Sequence, residues 1–351
     1  MTKLKHGGDW AGFEREFGAS PLDFSANVSP LGLPEGVKAA AMQALGVADR
    51  YPDPLCRALR EAIAVHENVP TEYCLCGNGA ADLIFRVVQA IRPKRALLTA
   101  PTFAEYGAAL DSVGCEITRW ELREADEFQL KKGVLDVITP DIDMVFLCEP
   151  NNPTGITTDP ALMEHICDRC KQANTWLVLD ECFLDFVDAP ERHTKKHRLA
   201  DMPKLLLLRS FTKLYAMAGL RLGYCLSTNT ELLEAMRLSG APWAVSGVAQ
   251  ATGIAALEET EYVQRVRTLT ARERERMKRG LGELRLTVIP GEANYLLFRG
   301  PSGLVEKLRR RGILLRGCGN FAGLDDTWYR TAIRTAEENN RFLTTLREVL
   351  T

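Results

Sequence analysis

Leu205-Leu-Leu-Leu-Arg-Ser-Phe-Thr-Lys213-Leu-Tyr-Ala-Met-Ala-Gly-Leu-Arg221-Leu-Gly-Tyr224 is the stretch whose reading decides the fold. Four leucines in a row, without polar alternation and too short for a helix, read as a strand buried on both faces. The strand runs out into Arg-Ser-Phe-Thr-Lys, and Arg221 follows eight residues after the lysine. Between them lies the small segment Ala-Met-Ala-Gly, and a further strand starts at Leu222. An amine just past a buried strand end can condense with an aldehyde cofactor. The hydroxyls of Ser210 and Thr212, with Arg221, suit the phosphate of such a cofactor. The competing reading is a solvated basic loop, and the rest of the chain has to separate the two.

Outward from this stretch, short apolar runs alternate with helical ones. Strands are expected near Tyr73–Cys76, Ala96–Thr99, Glu116–Trp120, Met144–Cys148, Trp176–Asp180, Leu205–Arg209 and Leu222–Ser227. Alternating strand and helix implies an α/β fold, a seven-stranded and mostly parallel sheet covered on both faces. Ligands of such sheets bind beyond the carboxyl ends of the strands. The residues with chemistry to offer fall there: Gly77-Asn-Gly79-Ala80-Ala81, Asn151-Asn152-Pro-Thr-Gly155, Asp180-Glu181 and Lys213.

The flanks differ. Residues 1–33 carry His6-Gly-Gly and Asp23-Phe-Ser-Ala-Asn27-Val-Ser-Pro-Leu-Gly, and their glycines and prolines predict an irregular arm with neither helix nor strand. Residues 34–235 would form the large domain. After about 235 the alternation breaks. A long charged helix near 259–284, short strands and a last helix, Glu337–Leu350, predict a smaller α+β domain over 236–351, which the arm could join.

Composition narrows the field of functions. The chain has 351 residues, 46% hydrophobic and 26% charged, with a formal net charge of −2, so nothing points to nucleic acid or an acidic membrane. No apolar run approaches the length of a membrane span, and the N-terminus lacks the apolar core of a signal peptide. Ten cysteines, several inside apolar runs, fit free thiols in a reducing cytoplasm.

Each candidate has a plainer alternative. The turn at Gly77–Ala81 offers free N–H groups and a helix dipole to a phosphate, or is simply a tight strand–helix turn. Asp180 ends an apolar strand, where a carboxylate needs a cationic partner such as a protonated pyridine nitrogen; a helix cap or salt bridge would serve as well. Asn152 could donate to a phenolic oxygen, although Asn-Pro-Thr-Gly is also a turn in its own right. Other patterns are discarded. Gly317-Cys-Gly319-Asn-Phe-Ala322 has no helix after it, His193 and His197 sit in a charged, solvated loop, and Cys167/Cys170 have no second ligand pair; no metal is expected.

Asn152-Pro-Thr-Gly, Asp180, Ser210-x-x-Lys213 and Arg221, in this order and spacing, resemble the fold-type I pyridoxal-phosphate enzymes of the class I/II aminotransferase superfamily. The resemblance implies pyridoxal 5'-phosphate as cofactor and a homodimer with shared active sites. It further implies Tyr51 reaching the neighbour's cofactor phosphate, Phe103 stacked on the pyridine ring, and Arg330 on the substrate carboxylate. Within the superfamily the chain is similar to the histidinol-phosphate aminotransferase branch and, more narrowly, to the threonine-phosphate decarboxylases. His6-Gly-Gly, Asp23 to Gly32, Phe103-Ala-Glu-Tyr106, Pro242-Trp243, Ile313–Arg316 and Trp328–Asn339 carry that likeness. It implies decarboxylation of L-threonine-O-3-phosphate for cobalamin biosynthesis, with His6, Asn27 and Arg316 on the substrate phosphate. Two departures stand out: Phe183 where aminotransferases usually have a tyrosine on the cofactor O3′, and Ala80-Ala81 where many relatives have polar side chains. An aminotransferase of phosphorylated amines and a non-catalytic cofactor-binding regulator remain alternatives.

Overall fold

The computed structural model describes residues 6–351. The central sheet has seven strands, in the order Cys74–Gly77, Gly223–Leu226, Leu205–Ser210, Trp176–Asp180, Met144–Cys148, Arg95–Ala100, Glu116–Glu121. Every neighbouring pair is parallel except the two made by Gly223–Leu226. The leucine run behaves as its composition demands: Leu205 to Leu208 are fully buried, as are Val145, Phe146, Leu177 and Val178 on the neighbouring strands. Each such side chain taken from water contributes on the order of 1.5–3 kcal/mol, so no register shift of these strands is affordable.

That register assembles one edge. Gly77 pairs with Gly223, and Ser210 pairs with Gly223 from the other side. Asp180 pairs with Cys148 and Leu208. Strand ends that are distant in sequence therefore open onto a single rim.

A second sheet, Arg316–Gly317, Trp328–Ala332, Tyr295–Arg299, Thr287–Val288, is antiparallel throughout. Phe24, Met277, Leu281, Leu296, Phe298, Phe342 and Leu346 form its core. The N-terminal segment joins this part of the molecule, since Leu22–Asp23 pairs in parallel with Ile313–Leu314 and the Phe24 ring lies 4.5 Å from Phe342.

Two expectations are corrected. The arm is not wholly irregular, because Trp10–Phe17 is a helix. The Asp9 carboxylate accepts from Gly12 N at 3.1 Å, Gly18 closes the helix at φ 65°, and Phe13 is buried against Phe17 under the Arg309 guanidinium. Those are ordinary start and stop signals. The boundary expected after 235 falls inside the helix Thr230–Leu238. Val245, Ala249, Ala256, Tyr262 and Val266 pack into the larger core, so the chain stays with that core well past 235. Among the described residues no helix is long and apolar enough to cross a membrane.

Candidate active site

The rim opens into a cavity of about 520 Å³ between the two cores. Its near end is built on the helix Gly79–Ile91. The N-cap residue, Asn78, makes no side-chain cap, which leaves first-turn N–H groups facing the cavity beside Ala80 and Ala81. Gly79 has φ +78°, and a Cβ there would stand 2.8 Å from Nη2 of Arg221, which lies directly over it. A Cβ on Gly223 would meet Ala80 N at 2.6 Å. Ser210 Oγ accepts from Thr212 N at 3.2 Å, so the two residues share one short turn leading to Lys213. A glycine-lined turn, two hydroxyls and a guanidinium make a cradle of phosphate size and charge.

At the floor, Asp180 is 5% exposed. Its Oδ2 accepts from the Tyr106 hydroxyl at 2.7 Å and its Oδ1 from Cys182 N at 3.0 Å. Among the described residues it has no ion-pair partner. A carboxylate so placed calls for a cation from outside the chain. Burial, with Arg330 and Arg221 adding like charge, pulls the Lys213 ammonium down to about 8, so a reactive neutral amine is accessible near neutral pH. Nζ of Lys213 lies 5.4 Å from the Phe183 ring, and Phe183 packs edge-on to Tyr295 at 5.0 Å.

The far end is cationic. Arg330 is buried, donates from Nη1 to Asn152 Oδ1 at 2.5 Å and from Nη2 to Ser25 O at 2.9 Å, and lies over the Tyr295 ring. With its carboxamide oxygen turned toward that guanidinium, Asn27 accepts from Nε and Nη1 at 3.2 Å. Arg316 donates to Gly317 O and Asn320 Oδ1, each at 2.8 Å, and rests on Phe321. Burial and the neighbouring Arg330 lower the pKa of Arg316. His6 reaches across to Glu105 at 2.8 Å.

The cavity thus gathers His6, Asn27, Ala80, Ala81, Phe103, Asn152, Asp180, Ser210, Thr212, Lys213, Arg221, Arg316 and Arg330. Gly79 forms the wall behind. Tyr51 stands apart: it is 82% exposed, 4.8 Å from Trp243, and outside the cavity lining. Sequence reasoning missed Tyr106, Glu105 and Ser25. Tyr106 had one legible signal, its place three residues after Phe103 on the helix Ala104–Asp111, which turns it back toward the sheet. His193, expected on a solvated surface, is largely buried instead, with Nδ1 3.8 Å from Glu149, whose carboxyl burial pushes up to about 8.

The donor set fits pyridoxal phosphate. It offers a phosphate cradle, an unpaired buried carboxylate and a lysine of lowered pKa in one cavity.

Comparison with known proteins agrees. Residues 19–346 match the family Aminotransferase class I and II. The chain is 44% identical to the threonine-phosphate decarboxylase of Salmonella typhimurium over 99% of its own length and 96% of that protein. It is 33% identical to the histidinol-phosphate aminotransferase of Symbiobacterium thermophilum, covering 96% and 93% of the two chains. The crystal structure of the histidinol-phosphate aminotransferase from Clostridium acetobutylicum superposes with a TM-score of 0.87 at 27% identity, over 93% of this chain and 98% of that one.

Proposed function

We propose, for a chain that belongs to the family of class I and II aminotransferases, a pyridoxal-phosphate-dependent decarboxylase. Its reaction is loss of CO₂ from L-threonine-O-3-phosphate to give (R)-1-amino-2-propanol phosphate, a step of cobalamin biosynthesis. The observation that carries the reading is the far end of the cavity, where the Arg330 and Arg316 guanidiniums and the His6 ring line the same space as Lys213. One such group suffices for a simple amino acid, whereas a substrate with both a carboxylate and a phosphate dianion needs several.

When bound, the cofactor would supply an electron sink for the bonding pair of the Cα bond that breaks. The chain's residues select that bond and handle the protons. Lys213 Nζ is the amine that would hold the cofactor's aldehyde carbon and would carry the proton for Cα; its lowered pKa suits both tasks. Asp180 keeps a proton on the pyridine nitrogen, with Tyr106 and Cys182 N fixing the carboxylate's two oxygens. The N–H groups beginning at Gly79, with Ala80, Ala81, Ser210, Thr212 and Arg221, hold the cofactor phosphate. Phe103 lines the cavity where it would cover the pyridine ring. Asn152 faces O3′ without help from position 183, which is Phe. Arg330 grips the substrate carboxylate, and His6, Asn27 and Arg316 take its phosphate. A homodimer, in which Tyr51 reaches the neighbour's cofactor phosphate, completes the proposal. Its setting is the cytoplasm, a reading supported by ten cysteines that are all free and buried.

The test is direct. Holoenzyme given L-threonine-O-3-phosphate without a keto acid releases CO₂ and aminopropanol phosphate through many turnovers. The likeness to histidinol-phosphate aminotransferases favours a second reading, transamination, which stops after one half-reaction until 2-oxoglutarate is added. No CO₂, with 2-oxoglutarate-dependent turnover of histidinol phosphate, would decide for the second.

A further inference from the structure

Two acids line the cavity among the described residues, Asp180 and Glu105, and the mechanism above uses only the first. Glu105 sits in the first turn of the helix Ala104–Asp111, between Phe103 and Tyr106. Its side chain is 20% exposed, and Oε1 lies 2.8 Å from Nε2 of His6. The bond spans 99 residues and ties the start of the described N-terminal segment to the large core within the cavity lining.

The backbone under His6 is held equally closely. Gly8 N donates to Ser25 Oγ at 2.8 Å, and a Cβ on Gly7 would stand 2.3 Å from Ser25 O. That same carbonyl accepts from Arg330 at 2.9 Å. His6 is therefore fixed from below through the residue that also orients Arg330, and from across by Glu105. A carboxylate beside a dianion site is unfavourable unless a donor stands between the two. His6 stands there.

We propose that Glu105 is a positioning residue that sets the preference for phosphorylated substrates by aligning His6, whose ring, carrying a proton on each nitrogen between the two anions, donates from Nε2 to Glu105 and from Nδ1 to the substrate's phosphate. The inference rests on the reading that this cavity takes a phosphorylated amine. It makes a prediction of sign that a merely structural tie does not. With His6 present, Glu105 helps the phosphate bind; with His6 removed, the stranded carboxylate repels it.

The experiment compares holoenzymes of the wild type, Glu105→Gln, Glu105→Asp, His6→Ala and the double variant His6→Ala/Glu105→Gln. KM and kcat are measured for L-threonine-O-3-phosphate and for L-threonine, and Ki for inorganic phosphate as a competitor. Loss of one partner of this pair is expected to raise KM for the phosphorylated substrate ~3–10-fold in Glu105→Gln and ~10-fold or more in His6→Ala, with kcat moved less. Glu105→Asp recovers part of the loss. The double variant binds the phosphorylated substrate and inorganic phosphate at least ~3-fold better than His6→Ala, because the repelling charge has gone. A double variant no better than His6→Ala, or equal changes in KM for both substrates, overturns the proposal. If the wild type releases no CO₂, the same variants are run with histidinol phosphate and histidinol in the presence of 2-oxoglutarate. Failure of the decarboxylase reading is thereby kept apart from failure of the role given to Glu105.

Discussion

In the proposed reaction Lys213 and Asp180 carry the chemistry, and the surroundings of each imply a measurable signature. A lysine lowered to about 8 is protonated below that pH and neutral above it. Only the neutral amine attacks an aldehyde, so the rate of cofactor capture by apoprotein should climb about tenfold per pH unit below 8 and level off above it. Stopped-flow absorbance would follow it, and a rate that still climbs tenfold per unit above pH 9 contradicts the lowered value. Lys213→Ala should lose the yellow absorbance and all turnover; borohydride trapping at another lysine would remove the assignment. Asp180→Asn should keep the cofactor, since the phosphate cradle is untouched, yet lose about a thousandfold in kcat, close to 4 kcal/mol at the transition state. A rate within about threefold of wild type would leave Asp180 less than about 1 kcal/mol. The positions of both residues were legible in the sequence because each follows a buried strand with a distinctive neighbour. Their partners were not. Tyr106 reaches Asp180 across 74 positions and His6 reaches Glu105 across 99, and no local pattern encodes a contact made only when two elements are packed.

At the level of elements, the strands were readable and the irregular pieces less so. A run such as Leu205–Leu208 has one physical solution, burial on both faces, whereas the helix Trp10–Phe17 is amphipathic and short and was masked by the glycines around it. Asp9 and Gly18 were the signals that could have found it. The phosphate turn shows how tightly one element end is specified. Gly79→Ala puts a methyl where the Arg221 guanidinium lies and strains a backbone at φ +78°. The strain is worth about 1–3 kcal/mol. If the turn holds cofactor phosphate, cofactor Kd should rise about tenfold or more while the fold survives, as read by fluorescence titration and circular dichroism. Unchanged affinity would mean that the helix terminus and Arg221 are not the cradle.

The whole molecule raises the question of the partner. The chain folds its two cores around the cavity, yet leaves large apolar side chains in water: Met42, Leu45, Tyr51, Leu238 and Trp243 are all exposed. Scattered exposure of this kind is ordinary, but Tyr51 and Trp243 are packed together, 4.8 Å between ring centroids, beside a second cavity of about 300 Å³ lined by Leu238, Trp243 and Arg86. A tyrosine 82% exposed on a proline-stiffened segment makes no contact with its own cavity, which is what a residue serving a neighbouring subunit requires. The domain boundary near 235 was misplaced for a related reason. The residues after it return to the large core, and sequence periodicity reports which residues are buried without reporting against what. Tyr51→Phe separates the two roles of that surface. If its hydroxyl donates to a cofactor phosphate across the interface, removing it costs one charge-assisted bond, about 1.5–3 kcal/mol, and weakens cofactor binding roughly 10- to 100-fold. The ring remains, so light scattering should still give a dimer. Dilution series on wild type supply the complementary arm: if a partner provides that hydroxyl, activity should fall with dissociation, because each cavity then loses it. A monomer that is fully active with unaltered cofactor affinity would show that one chain is sufficient and that the exposed aromatic pair serves some other surface.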